Sequence, residues 1–298
     1  MTRQGFAPAA VARFVLVALA FAVVIVPHGL SLRFGRGRLA ARTAMLFHRS
    51  VLRAFSVRVT QSGTPPGTVE PALVLSNHVS WLDIVALGSL RPLSFVAKSE
   101  IDGWPVIGSF ARLQRTIFVD RSRRGATAHV NAALAKRLAA GELIVLFAEG
   151  TTSDGMRLLP FRSSLVGAAR DALSAGTGGL SRIRLQPLAL AYTHRGGLPL
   201  TRIERPEVAW YGDMDLVPHL ALFAKGGPLD LHVVWGAPIA FEAATDRKAA
   251  TALAEAEVRR VLKAALAGRS SPAWTEADAS AGRGVEAADV SAPGVAAA

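Results

Sequence analysis

A histidine and an aspartate stand five positions apart in Asn77-His78-Val79-Ser80-Trp81-Leu82-Asp83, after the apolar run Leu73-Val74-Leu75 and Ser76. An imidazole within reach of a carboxylate is the minimum equipment for taking a proton from a hydroxyl. Ser80 and Asp83 fit the serine-x-x-acid pattern of a helix start, with Ser80 as N-cap. His78 then lies just ahead of the helix and Asp83 in its first turn. From there the carboxylate can fix the imidazole tautomer and favour the imidazolium formed on proton uptake. A plainer reading stands beside this one, with Asp83 a capping carboxylate and His78 a loop histidine bonded to backbone.

A second block, Ala148-Glu149-Gly150-Thr151-Thr152-Ser153, follows the apolar run Leu143–Phe147. Gly150 allows close backbone approach, and the three hydroxyls are donors suited to phosphate oxygens. Glu149 fits beside an anion only if it orients the loop or bonds a substrate hydroxyl. Asp154-Gly155 also makes the block readable as a tight polar turn. A third run ends in Phe118-Val119-Asp120-Arg121, and arginine is suited to bidentate phosphate contact. Arg123 and Arg124 read as solvated loop residues.

The elements that must position these groups follow from periodicity. Ala72–Ser76, Leu93–Ala97, Thr116–Val119, Leu143–Phe147, Ile183–Tyr192 and Leu231–Trp235 read as strands. Trp81–Leu90, Ala126–Ala140, Ser163–Ala175 and Ala244–Ala267 read as helices. Alternation of this kind predicts an α/β fold, with a partly parallel sheet flanked by helices. Both candidate blocks then sit at strand ends, where α/β proteins tend to build sites.

Charge and hydropathy set the surroundings. The chain of 298 residues has 34 Lys and Arg against 22 Asp and Glu, a formal charge of +12, and no cysteine. Disulfides, thiol nucleophiles and thiolate metal sites are therefore excluded. No acid precedes Glu70, whereas nine arginines do. Phe14–Leu32 is uncharged and mostly aliphatic, close to the roughly 20 residues that cross a bilayer. Pro27, His28 and Gly29 weaken its far end, so an interfacial hairpin competes with a span. A secretory signal competes too, but no small-x-small cleavage pattern follows and the downstream flank is basic.

Beyond that run, Arg38, Arg42, Arg49 and Arg53 fall within about 60° of one another on a helical wheel, opposite Ala40, Phe47, Val51 and Phe55. Such a basic amphipathic helix suits anionic lipid. The expected organisation is an N-terminal membrane-associated helical segment over 1–58, an α/β domain over 59–268 and a disordered tail over 269–298. Nucleic acid is a poor partner for this chain, because the arginines flank an apolar anchor instead of interleaving with aromatics.

The motifs Asn77–Asp83, Phe118–Arg121 and Glu149–Thr152, followed by Leu185-Gln186-Pro187-Leu188-Ala189, resemble in that order the four motif blocks of the glycerolipid acyltransferases. The likeness runs over about residues 70–238 and is greatest to the bacterial 1-acyl-sn-glycerol-3-phosphate (lysophosphatidate) acyltransferases. It implies a membrane enzyme that moves a fatty acyl group from acyl-CoA or acyl-carrier protein to the free hydroxyl of 1-acyl-sn-glycerol-3-phosphate, giving phosphatidate. By the same resemblance His78 is the general base and Asp83 its partner. Arg121, Glu149, Gly150, Thr151 and Thr152 belong to the acceptor-phosphate site, and Pro187 shapes the acyl-binding side. Neither a metal, a cofactor nor an acyl-enzyme is implied, and the expected location is the cytoplasmic face of the inner membrane.

Two departures bear on the acceptor. Ala148 replaces the proline usual in the third block, and Thr152 replaces an arginine, a loss that Arg157 or Arg162 could cover. Ala148–Phe161 and Trp210–Met214 are also similar to the lyso-ornithine lipid acyltransferase subgroup, whose acceptor carries no phosphate. That acceptor, or another lysolipid, is the alternative within the family. A non-catalytic lipid-binding protein is the alternative outside it.

Overall fold

The computed structural model describes residues 8–67, 71–104, 108, 111–112, 114–119, 126–174 and 181–269. The Arg121 cluster, the glycine-rich stretch 176–179 and the tail beyond Arg269 lie outside the described residues.

Two helices come first, α1 over Pro8–Arg33 and α2 over Gly37–Ala54. α1 is longer than the apolar run alone predicts and passes through Pro27, whose carbonyl accepts the Ser31 hydroxyl at 2.6 Å. At 1.5 Å per residue its 26 residues measure about 39 Å. α2 folds back along it. Phe14 meets Phe55 edge-on at 5.7 Å, Phe21 meets Phe47 at 5.9 Å, and His28 Nδ1 lies 2.9 Å from the Thr43 hydroxyl.

The remaining strands are β1 (Val57–Ser62), β2 (Ala72–Ser76), β3 (Ser94–Lys98), β4 (Ile117–Val119), β5 (Leu143–Phe147), β6 (Arg182–Arg195), β7 (Leu198–Pro199), β8 (Leu229–Trp235) and β9 (Ile239–Glu242). The helices are α3 (Leu82–Leu90), α4 (Ala126–Ala139), α5 (Ser163–Ser174), α6 (Leu216–Lys225) and α7 (Arg247–Leu266). The sheet order is β1-β8-β6-β2-β5-β3-β4, with β7 and β9 also on β6. β2 is parallel to both β5 and β6, and β3 is parallel to β4 and β5. β6 is antiparallel to β8 and β9. The sheet is therefore mixed and flanked by helices, as the alternating pattern predicts.

β2 is buried on both faces, and its residues divide by a period of two. Leu73 and Leu75 join Ile144, Leu146 and Leu185 under α4, α5 and α7. Val74 joins Val145, Phe147, Leu188 and Tyr192 under α2, α3 and α6. α1 docks on this second side, where Arg13 Nη1 donates to the carbonyls of Ala224 and Gly226 at 2.6 and 2.7 Å.

Pro187 lies in the middle of β6, where a proline would normally break a ladder. Its carbonyl accepts from Gly236 N at 2.9 Å, so its missing N–H also faces the β8 and β9 side. β6 pairs with β9 up to Leu185 and with β8 from Leu188. The gap between those partners takes the residue that has no donor to offer.

Candidate active site

β2 ends at Ser76, and the next residue extends the sheet with its side chain. Asn77 donates to Leu190 O at 3.0 Å and accepts from Leu190 N at 2.8 Å. This buried amide lets the chain leave the sheet without orphaning β6, and the following residue, His78, emerges at the strand ends.

His78 Nδ1 lies 2.7 Å from Asp83 Oδ2. Asp83, fully buried in the first turn of α3, accepts with that same oxygen from the backbone N–H of Val79 at 2.7 Å and of Ser80 at 2.9 Å. Its Oδ1 accepts the Tyr192 hydroxyl at 2.6 Å. Acceptance from His78 requires Nδ1–H, so the lone pair of the neutral ring sits on Nε2. Nε2 has no hydrogen bond among the described residues, and the imidazole is 17% exposed. Phe147 stacks beneath the ring at 3.8 Å and 8°. The imidazole is therefore fixed in position and tautomer, with its basic nitrogen open.

Ser80 does not cap α3 as the sequence pattern predicts. The helix starts at Leu82, and the buried Ser80 hydroxyl has no hydrogen-bond partner among the described residues. Asp83 reaches back to the loop amides instead, so one carboxylate satisfies the helix entry and holds His78.

The second block meets the first through Glu149. Its Oε2 accepts from His78 N and its Oε1 from Leu159 N, both at 2.7 Å. Glu149 is 2% exposed, and burial pushes its carboxyl up to about 7, against the pull of those two amides. With both oxygens engaged, Glu149 acts as a loop tie, the first of the two roles that suit a carboxylate beside an anion. Ser153 N donates to His78 O at 2.9 Å, closing the loop from its other side. Gly150 takes φ +72°, a conformation that favours glycine, and the side chain of Thr151 is exposed while that of Thr152 is half-buried. Arg157 and Arg162 are both exposed.

The structure brings His78, Asp83 and the Glu149–Ser153 loop together at the ends of β2 and β5. Pro187 stands apart in the sheet interior, level with Leu75 on β2. Tyr192 was not singled out by its sequence. A signal exists, because a phenol directly after the aliphatic stretch Leu188–Ala191 must find a polar partner when buried. Burial and the neighbouring Asp83 charge raise its hydroxyl pKa well above normal, so it remains a donor.

Comparison with known proteins supplies the chemistry. A family model described as Acyltransferase matches residues 56–191. The chain is 47% identical over 231 residues to the lyso-ornithine lipid O-acyltransferase of Brucella abortus, covering 78% of this chain and 85% of that protein. It is 37% identical over 131 residues to the 1-acyl-sn-glycerol-3-phosphate acyltransferase of Neisseria meningitidis, covering 44% of this chain and 51% of that one. The crystal structure of the 1-acyl-sn-glycerophosphate acyltransferase of Thermotoga maritima shares the fold. There the TM-score is 0.57 at 17% identity, over 88% of this chain and 99% of that one.

Proposed function

The chain belongs to the acyltransferase family that includes the lysophosphatidate and lyso-ornithine lipid acyltransferases, and from that premise we propose how it works and on what. His78 Nε2 takes the proton of the acceptor hydroxyl while that oxygen attacks the carbonyl of an acyl thioester. The C–O bond forms, the C–S bond breaks, and the imidazolium returns the proton to the leaving thiolate. Asp83 holds the Nδ1–H tautomer and balances the transient imidazolium charge. The observation that carries this reading is the 2.7 Å contact between His78 and a fully buried Asp83, which leaves Nε2 open. Glu149, Gly150 and Thr151 shape the loop beside the acceptor, with Thr152 toward its head group; by the resemblance alone, Arg121 is assigned to that acceptor site and Pro187, from inside the sheet, to shaping the acyl side. The donor is acyl-CoA or acyl-carrier protein, and no metal or cofactor takes part.

The acceptor proposed first is lyso-ornithine lipid. Two observations support it: the relatives at 47% and 43% identity carry that name, and Thr152 stands where a phosphate-binding arginine is usual. The second reading, 1-acyl-sn-glycerol-3-phosphate with phosphatidate as product, is supported by the Neisseria relative. The enzyme works on a bilayer, at the cytoplasmic face of the inner membrane, seated through the apolar face of α1.

The test pairs purified protein and acyl thioester with each acceptor and identifies the diacyl product by mass. Product from lyso-ornithine lipid and little from lysophosphatidate is expected, and the reverse would promote the second reading. His78→Ala should lower turnover by about a thousandfold or more while the protein still binds vesicles. Retained turnover in that variant would remove His78 from the reaction.

A further inference from the structure

Two segments hold the backbone around His78, and one guanidinium lies between them. The first segment is the loop after β5, tied to His78 through Glu149 and Ser153. The second is the stretch 201–210, whose last residue donates Trp210 N–H to the carbonyl of Val79 at 2.9 Å. Arg205 opens a short 3-10 turn within that stretch. Its carbonyl accepts from Val208 N at 2.9 Å and Ala209 N at 2.7 Å, which fixes its backbone. Its Nη1 lies 3.5 Å from the carbonyl of Gly155. A methyl group built on Gly155 would meet Val79 Cγ1 at 3.0 Å and Arg205 Nη1 at 3.5 Å. Gly155 is thus a thin spacer between the guanidinium and the residue next to His78.

The acids around Arg205 are committed elsewhere. Glu204 accepts from Thr201 N at 3.0 Å and from its hydroxyl at 2.7 Å. Glu207 pairs with the buried Arg195 at 3.0 Å. Asp154 accepts from Met156 N at 2.9 Å and acts on Arg205 only through space. Among the described residues Arg205 forms no ion pair, and its one long carbonyl contact leaves most of its N–H donors free. A half-buried guanidinium held beside the site with donors to spare suits an anion that the protein itself does not carry.

We propose that Arg205 binds the anionic head group of the acceptor lipid, holding its carboxylate or phosphate while the acceptor hydroxyl meets His78. The proposal rests on the acyltransferase reading above and adds to it the residue that selects a charged acceptor.

The test uses the full chain in detergent micelles, with Arg205→Gln and Arg205→Lys beside wild type. Acceptors are lyso-ornithine lipid and its carboxyl methyl ester, and in a second arm lysophosphatidate and monoacylglycerol. Wild-type turnover of either charged acceptor establishes the underlying reading, and its absence would sink that reading before Arg205 is considered. The Gln variant should raise the acceptor KM by about 10- to 100-fold, with kcat within about threefold and the acyl-thioester KM unchanged. The Lys variant should recover part of the loss, since it keeps the charge without the fork. Removing the acceptor's charge should cost wild type a similar factor and cost the Gln variant almost nothing more. The arm in which this non-additivity appears identifies the anion as carboxylate or phosphate. Fully additive losses, a fall in kcat alone, or a raised donor KM would each overturn the proposal.

Discussion

Asp83 carries four hydrogen bonds on two oxygens, from His78, Val79, Ser80 and Tyr192. Capping and tautomer control, which the sequence presents as alternatives, are here duties of one oxygen. Replacing Asp83 by Asn would damage both at once, so the informative change is Tyr192→Phe, which deletes a single donor. It should cost roughly 1 to 2 kcal/mol of stability in thermal unfolding and several-fold in kcat/KM. A variant whose kcat/KM equals that of wild type would take Tyr192 out of the relay. Glu149 supplies a titration. Its folded value of about 7 stands above the ordinary 4.5, so its contribution to stability is complete below 4.5 and disappears as pH rises through 7. Whatever constant cost Glu149→Gln brings from its altered hydrogen bonds, its stability relative to wild type should improve between about pH 5 and pH 8. A flat difference across that range would mean the carboxylate is already ionised throughout.

The loop between β5 and α5 turns at Gly155 with φ +70°, where an added methyl group would also press on both Val79 methyls, at 3.0 and 3.2 Å. Gly155→Ala should cost about 1 to 3 kcal/mol in unfolding and depress kcat, because Val79 adjoins His78. A variant with normal kcat would show that the loop and the base are independent. Elements of this site were the most legible part of the sequence. The buried strands Ala72–Ser76 and Leu143–Phe147 are continuous apolar runs bounded by polar turns, and they lie where the pattern places them. Other elements are hidden for physical reasons. Val57–Ser62 is an edge strand with exposed polar residues, and its partner β8 lies about 170 residues downstream. Leu216–Lys225 carries Pro218 in its first turn and has only 10 residues, so its periodicity is weak. Ile239–Glu242 has four residues and is a strand because β6 offers it an edge. The docking of Tyr192 and Arg205 beside His78 depends on β6 and the 201–210 stretch returning across more than 100 residues, which no local pattern encodes.

On the scale of the molecule, α1 is the element whose surface best suits a bilayer. Only 11% of its most apolar stretch is buried. Val11, Val15, Leu19, Val23, Val26 and Leu30 are all exposed at helical spacing, forming one apolar stripe. The opposite side of α1 is fixed along α2 by Phe14, Phe21 and His28, and to α6 by Arg13. α2 is itself joined to the domain, where Arg49 Nε donates to Ser89 O at 2.9 Å. A helix held along its length can offer one flank to a bilayer, so α1 should lie in the interface with the arginines of α2 alongside. Deleting the first helices would strip Val51, Leu52 and Phe55 from the core and confuse anchoring with folding. Because the natural chain has no cysteine, single-cysteine variants give a cleaner measurement. An environment-sensitive fluorophore at Leu19→Cys should shift blue and escape aqueous iodide when anionic vesicles are added. The same label at Leu253→Cys, equally exposed on α7 across the sheet, should do neither. Labels at Val15→Cys and Leu30→Cys stand about 22 Å apart along the helix and should report the same depth to brominated lipids. Unequal depths would mean that α1 crosses the bilayer, and an unshifted Leu19→Cys label would place the stripe outside the membrane altogether.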